Sequence, residues 1–432
     1  MSERTAPRIL YKNVRVLDGS GEFPFSGEVM VQGNRIKDVA RGSNRFPGSG
    51  HDHEVIDGGG ATLMPGLCDA HCHFSWNNAG SLEGIMMMPP EEHTLVSART
   101  AAILIDMGYT MCVGAAAAKE RLDVVIRNAI NKGELPGPRY LANGPEIATL
   151  GGLGDTSPPH LMIPEMNFGC VVSGPEEMRA AVRRFIKFGV DLIKLNLSGE
   201  SITGVGAEET PMAVEEIEMA VREAKVRGKR ICAHARSDQS VRYCLDYGIE
   251  IIYHASYASD RTIDELAARS DEFFVAPGLA WLRNTGYHAA EWGLTPEAAG
   301  AMGYHRELEA AIDTMRKMKA AGIRILPGGD YGFAWTPHGT NANDLEYFVD
   351  MLGFSPMEAI VSATKLGGQI MGAPDELGQI KPGFLADLIL VDGDPASDVR
   401  VLQRRERILS VMKDGVFHSR PPVRGERMRA AA

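Results

Sequence analysis

His71 and His73 close the run Met64-Pro-Gly-Leu-Cys-Asp-Ala-His-Cys-His. On an extended strand, residues two apart project to the same side. Two imidazoles so placed suit one metal ion, because neutral imidazole is the commonest protein metal ligand. Spacing alone does not make the case. A second pair, His51 and His53, has the same separation but sits in the polar stretch Gly-Ser-Gly-His-Asp-His-Glu and reads as surface loop. The pair at 71 and 73 instead ends an apolar run, with Asp69 near enough to serve as an acceptor behind a ligating ring. Cys72 lies between the two and faces away, so it reads as a packed thiol.

Further along the chain, polar residues interrupt or end other apolar runs. Lys194 lies inside Val190-Asp-Leu-Ile-Lys-Leu-Asn-Leu, His234 ends Arg230-Ile-Cys-Ala-His, and His254 ends Ile249-Glu-Ile-Ile-Tyr-His. Asp330 follows Ile323-Arg-Ile-Leu-Pro-Gly-Gly. Taken one at a time, each has an ordinary structural role: a bonded His, a helix-capping Asp, a snorkelling Lys. Taken together, they fall at the ends of strand-like runs, where an α/β barrel gathers its chemistry. That convergence predicts a metal centre of His71, His73, Lys194, His234, His254 and Asp330. A lysine ammonium cannot ligate a cation. A lysine held neutral by burial can add carbon dioxide, and the resulting anion offers two oxygens.

The elements that must position these residues are legible. The first 60 residues read as strands at Ile9–Leu17, Gly27–Val31 and Arg35–Val39, and the tail repeats the pattern at Leu388–Val391 and Arg407–Met412. Between them, strand-like runs near 110–114, 139–142, 190–197, 230–234, 250–254, 273–276 and 323–326 alternate with helical stretches. These helices span 94–107, 122–131, 175–188, 211–226, 239–247, 263–268 and 305–321. With the run before His71 this gives about eight β/α units. The expected fold is therefore α/β: a (β/α)8 TIM-type barrel over 64–380, with a small β-sandwich built from 1–63 and 381–432. Met86-Met87-Met88-Pro-Pro reads as a loop near the barrel mouth.

Composition excludes several alternatives. The chain has 432 residues, is 44% apolar and 23% charged, and carries net charge −11. That acidity argues against nucleic acid and anionic membranes as partners, and no apolar run reaches a membrane span. The N-terminus shows no secretory apolar region, and six scattered cysteines lack a Cys-x-x-Cys, so a reduced, cytoplasmic protein is expected.

These motifs resemble the amidohydrolase superfamily, in its imidazolonepropionase- and prolidase-like branch. The similarity also takes in Gly137-Pro-Arg, Gly144, Gly151-Gly-Leu-Gly-Asp155, His338-Gly-Thr-Asn341 and Glu376-Leu-Gly-Gln-Ile-Lys-Pro-Gly-Phe-Leu-Ala-Asp-Leu388. The resemblance implies two divalent ions, usually zinc, bridged by carboxylated Lys194 and a hydroxide. His71, His73 and Asp330 would hold the more buried ion, and His234 and His254 the second. It further implies a homo-oligomer. Two positions depart from the dipeptide-cleaving relatives. Leu153 stands where they carry a His, and Arg236 where they often carry a Tyr. Both argue against an ordinary dipeptidase. Arg236 is suited either to a substrate carboxylate or to a structural salt bridge.

The expected chemistry is hydrolysis of an amide, lactam, urea or carbamate by metal-activated hydroxide. A bound divalent ion lowers the pKa of its water from about 15.7 to about 7. Asp330 would take the proton and pass it to the leaving nitrogen, with His254 or Tyr253 near the oxyanion. Candidate substrate contacts are Trp76, Met86 to Met88, Leu153, Arg236, Tyr253, Trp281, Tyr287, Phe333, Trp335 and His338, with His288 a further histidine of interest. They point to a small apolar or aromatic substrate. The alternatives are a deaminating aminohydrolase, an Xaa-Pro or N-acyl amino acid dipeptidase-like enzyme, and a non-catalytic scaffold. Lys194 argues against the first, because aminohydrolases usually hold one ion and lack the lysine bridge.

Overall fold

The Pro175–Phe188 helix shows why the middle of the chain folds as it does. Met178, Ala181, Val182 and Phe185 recur at helical spacing and are its buried residues. Pro175 opens it, where a missing N–H costs nothing, and Gly189 closes it at φ 98°. The Asp260–Ala267 helix is started by Ser259, whose Oγ accepts the Thr262 N–H at 3.3 Å. The computed structural model describes residues 7–46, 53–161 and 163–421. His51 lies outside these residues, while His53 adjoins the Glu54–Asp57 strand.

Parallel strands Leu67–Cys72, Tyr109–Gly114 and Arg139–Leu141 form one group, and Leu192–Asn196, Arg230–Ala235, Ile251–His254 and Phe274–Ala276 a second. Backbone hydrogen bonds link the groups on both sides. The Ala142 carbonyl accepts from Asp191 and Leu192 (2.8 and 3.3 Å). On the other side Val275 bridges Ile325, and the Ala70 N–H reaches the Pro327 carbonyl at 3.0 Å. The strand expected at 323–326 is present only as this bridge. Cys68, Ala70, Met111, Val113, Leu192, Cys232, Ile251, Tyr253 and Leu326 pack together as an inner cluster. A much larger cluster lies between strands and helices. The helices expected at 94–107, 122–131, 175–188, 211–226, 239–247, 263–268 and 305–321 are all present within a few residues.

Strands from both chain ends share one mixed sheet. Its order is Val416–Ser419, Ile408–Lys413, Leu388–Val391, Thr62–Pro65, Arg8–Val16, Phe25–Gln32, Arg35–Arg41, with Glu54–Asp57 also paired to Arg8–Val16. It has its own apolar cluster. The boundary expected at residue 64 falls inside a strand of this sheet: Met64 and Pro65 pair with Ile389 and Leu388. The change of layer comes at Gly66, where a Cβ would stand 2.1 Å from Thr110 Oγ1. Of the expected Met86–Met88 loop, Met86 ends the short helix Leu82–Met86, which Ser81 caps, while Met87 and Met88 lie in the turn that follows. None of the six cysteines forms a disulfide. Among the described residues no helix is long and apolar enough to cross a membrane.

Candidate metal centre

His71 and His73 reach the same space through an irregularity in their strand. Cys68 and Ala70 belong to the inner cluster, whereas Cys72 and Phe74 pack in the outer layer. The pairing with Tyr109–Gly114 slips between Asp69 and Cys72. The slip changes which residues face inward, so that both imidazoles follow Ala70 to the inside. Asp69 serves the backbone and not a ring: its Oδ1 accepts the His71 N–H at 2.9 Å, and its Oδ2 accepts from Asn341 Nδ2 at 2.7 Å.

Asp330 Oδ1 lies 3.1 Å from His73 Nε2 and 3.6 Å from His71 Nε2. The three ligand atoms fall within 4.8 Å of one another. Gly328 makes this approach possible, because a Cβ there would meet the His71 backbone N at 2.7 Å. Asp330 itself sits at φ 63° and His254 at φ 76°, a left-handed backbone that turns both side chains at the strand ends. The His254 ring lies 4.4 Å from that of His234 and 5.2 Å from that of His71.

Whether these residues fit divalent cations is tested by their unpaired atoms. His73 Nε2, both ring nitrogens of His254 and Asp330 Oδ1 are buried without a hydrogen-bond partner. The Ala116 carbonyl accepts from His73 Nδ1 at 3.0 Å, which leaves the lone pair on Nε2, facing Asp330. The Gly199 carbonyl accepts from His234 Nε2 at 3.0 Å, leaving Nδ1 as its ligand atom. Arg236 Nε points at the same Nε2 from 3.2 Å and would need the opposite tautomer; the shorter carbonyl contact decides. Burial holds His71, His234 and His254 well below the usual imidazole range, so all three are neutral, as ligation requires. Lys194 is 2% exposed, with no hydrogen-bond or ion-pair partner among the described residues. Its Nζ stands 4.5 Å from the Tyr253 ring centroid. The set therefore fits divalent cations.

Trp76, Leu153, Lys194, His234 and Trp281 line one cleft with the His71–His73–Asp330 cluster. Trp76 stacks on His73 at 3.4 Å. Phe333 lines the cleft too, whereas several other expected substrate contacts lie elsewhere. Arg236 is fully buried and ion-paired to Glu200 and Glu307, so its guanidinium is not open to a substrate. Tyr253 belongs to the inner cluster and stacks on His71 at 3.9 Å. Trp335 lies against Phe333 and Trp281, with its Nε1 donating to Thr285. Tyr287 is half exposed and stacks on His305, and His288 contacts Arg283 near the surface. Sequence reasoning missed Glu146, Phe168, Glu200, Ile202 and Thr203, which also line the cleft. Only Glu146 gives a signal, as a lone carboxylate before the apolar pair Ile147-Ala148.

His338 braces the cleft from behind, its Nε2 donating to the Trp76 carbonyl at 2.9 Å. Burial lowers this imidazole to about 4, although the Trp76 carbonyl opposes the shift. A depressed folded-state pKa means stability that is complete above the unfolded value and lost as pH falls. We expect unfolding free energy to fall by about 3 kcal/mol from this site between pH of about 6.5 and about 4. Denaturant titrations across that window should show the slope, and His338→Gln should flatten it. An unchanged slope in the variant would refute the assignment.

Neutral imidazoles meeting a carboxylate at the ends of parallel strands define a class, hydrolases built on divalent cations. Residues 62–417 match the amidohydrolase family, and the chain belongs to it. Ochratoxinase of Aspergillus niger is 26% identical over 388 residues, covering 84% of this chain and 76% of that protein. Imidazolonepropionase of Rubrobacter xylanophilus is 23% identical over 413 residues, 92% of each chain. A prolidase structure solved with N-methylphosphonate-L-proline superposes with TM-score 0.86 at 25% identity, covering 96% of this chain and 100% of that one. The protein is a hydrolytic enzyme that acts on carbon–nitrogen bonds other than ordinary protein peptide bonds.

Proposed function

We propose that the chain is a binuclear metal hydrolase cleaving an amide, lactam, urea or carbamate of a small apolar or aromatic substrate. The observation that carries this reading is the set of buried, unpaired ligand atoms on His73, His254 and Asp330: His73 and Asp330 line the cleft, and the His254 ring lies beside those of His71 and His234. The parallel strands and their linking hydrogen bonds are read as a closed (β/α)8 barrel, and the terminal sheet as the flanking β-sandwich. His71, His73 and Asp330 would hold one ion, His234 and His254 the other, with Lys194 carboxylated between them and zinc the expected metal. Ions bound there supply hydroxide at neutral pH and polarise the carbonyl. The protein's own groups do the rest. The Ala116 and Gly199 carbonyls fix two imidazoles in the ligating tautomer. The Asp330 carboxylate accepts the proton of the attacking water and returns it to the leaving nitrogen. Trp76 and Trp281 line the cleft with apolar surface beside the ligand atoms. Six free thiols agree with a reducing, cytoplasmic setting, and a homo-oligomer is expected.

The test is a metal count followed by a substrate screen. Two ions per chain and release of an amine and an acid from N-acyl amino acids, anilides, arylureas or carbamates, identified by mass spectrometry, are expected. One ion per chain with ammonia released from a ring substrate would replace this reading by an aminohydrolase.

A further inference from the structure

Two buried acceptor atoms at the cleft have no hydrogen-bond donor among the described residues. Glu146 is 5% exposed and Asn196 1%. The Asn196 side chain lies close enough to the Glu146 carboxylate to favour its anion. Asn196 Nδ2 donates to the Leu153 carbonyl at 3.1 Å, which fixes the orientation of the amide. Glu146 Oε1 and Asn196 Oδ1 are left unpaired. Buried acceptors without partners are costly and rare, and they mark places that a ligand completes. Asn196 shares the inward face of its strand with Lys194, and Glu146 lines the same cleft. Glu146 is also confined, since a Cβ on Gly154 would lie 3.3 Å from its Oε1.

We propose that Glu146 and Asn196 form a subsite for a protonated primary amine on the substrate, close to the scissile carbonyl. The proposal rests on the hydrolase reading above and names its substrate class: an apolar or aromatic amide that carries a free amine and no carboxylate. Charge supports the choice. Arg236 is taken by two glutamates, and Lys194 is assigned to the ions, so no Lys or Arg among the described residues lining the cleft is left for a substrate carboxylate. An ammonium would donate to both free oxygens and offset the burial that disfavours the Glu146 anion. Trp76, Leu153, Phe168 and Trp281 would receive the apolar remainder.

The test compares phenylalaninamide with its desamino counterpart, 3-phenylpropionamide, by calorimetric titration of the metal-loaded protein. The amine-bearing compound should bind about tenfold tighter or better, the scale of one hydrogen bond to a charged group. Glu146→Gln should erase most of that difference while its metal content stays at the wild-type value. Equal affinities in the wild type, or no binding of either compound, would overturn the subsite, whether or not the variant folds. So would loss of metal in Glu146→Gln, which would make the residue a ligand. Hydrolysis is scored separately. Preferential binding without turnover counts against the hydrolase reading and leaves the amine subsite standing, whereas turnover without preference overturns the subsite alone.

Discussion

Asp330→Asn should lower kcat/KM by about 10²- to 10⁴-fold on whichever amide the screen identifies. The substitution is unusually clean. Asp330 sits at φ 63°, a conformation that Asn tolerates as well as Asp, so the backbone keeps its course. The amide keeps its volume and loses only the charge and the proton-accepting oxygen. Oδ1, 3.1 Å from His73 Nε2, is where that charge matters. His73→Ala is the companion. It removes a ring fixed by Ala116 and packed against Trp76, and should cost bound metal as well as activity. Metal content by plasma emission, read beside the rates, separates the two variants. Chelation should silence the wild-type enzyme and added metal should restore it. Full activity in metal-free protein would end the metal-dependent reading.

Much of the site was legible because each ligand is the polar exception in an apolar strand. Lys194 inside Leu192–Asn196 and His234 inside Arg230–Ala235 needed only the period-two rule. His71 and His73 were legible as a pair, but the side they face was not. That depends on a slip in pairing between Asp69 and Cys72, which no local pattern records. The partners of Arg236 were invisible for a related reason. Glu200 lies 36 residues before it... and Glu307 71 residues after, so no local pattern joins the three. The aromatic residues near the mouth were visible as a group, but their order in depth was not. Phe333 lines the cleft while Trp335 packs against it, because the Gly332–Thr336 turn folds one ring against the other. The terminal sheet was legible from its short strands, but Pro65 hid the continuation of Thr62–Pro65 into that sheet. Pro carries no N–H for the ladder, and so reads as a break.

The second large effect falls on stability. Arg236→Met should cost about 3–5 kcal/mol in unfolding free energy. Arg236 is the only cation within ion-pair distance of Glu200 or Glu307 among the described residues. Both carboxylates are buried, and burial raises Glu200 to about 7, against the opposing pull of Arg236. Tyr304 and Trp281 donate to Glu200 at 2.6 and 3.2 Å, and Ser256 donates to Glu307 at 2.8 Å, but neutral donors do not balance charge. Removing the arginine therefore leaves two buried carboxylates without a counter-charge, and the cost of keeping them ionised or of protonating them exceeds that of the lost pair. The triple variant Arg236→Met/Glu200→Gln/Glu307→Gln follows from the same argument. With the charges gone together, it should recover most of the stability that the single variant loses. Urea titrations of both proteins decide the matter, and a triple variant no more stable than Arg236→Met would show that shape, not charge, holds this cluster. The recovery should not extend to the ions. Arg236 Nε also touches the His234 ring, so both variants should hold the second ion less tightly in equilibrium dialysis.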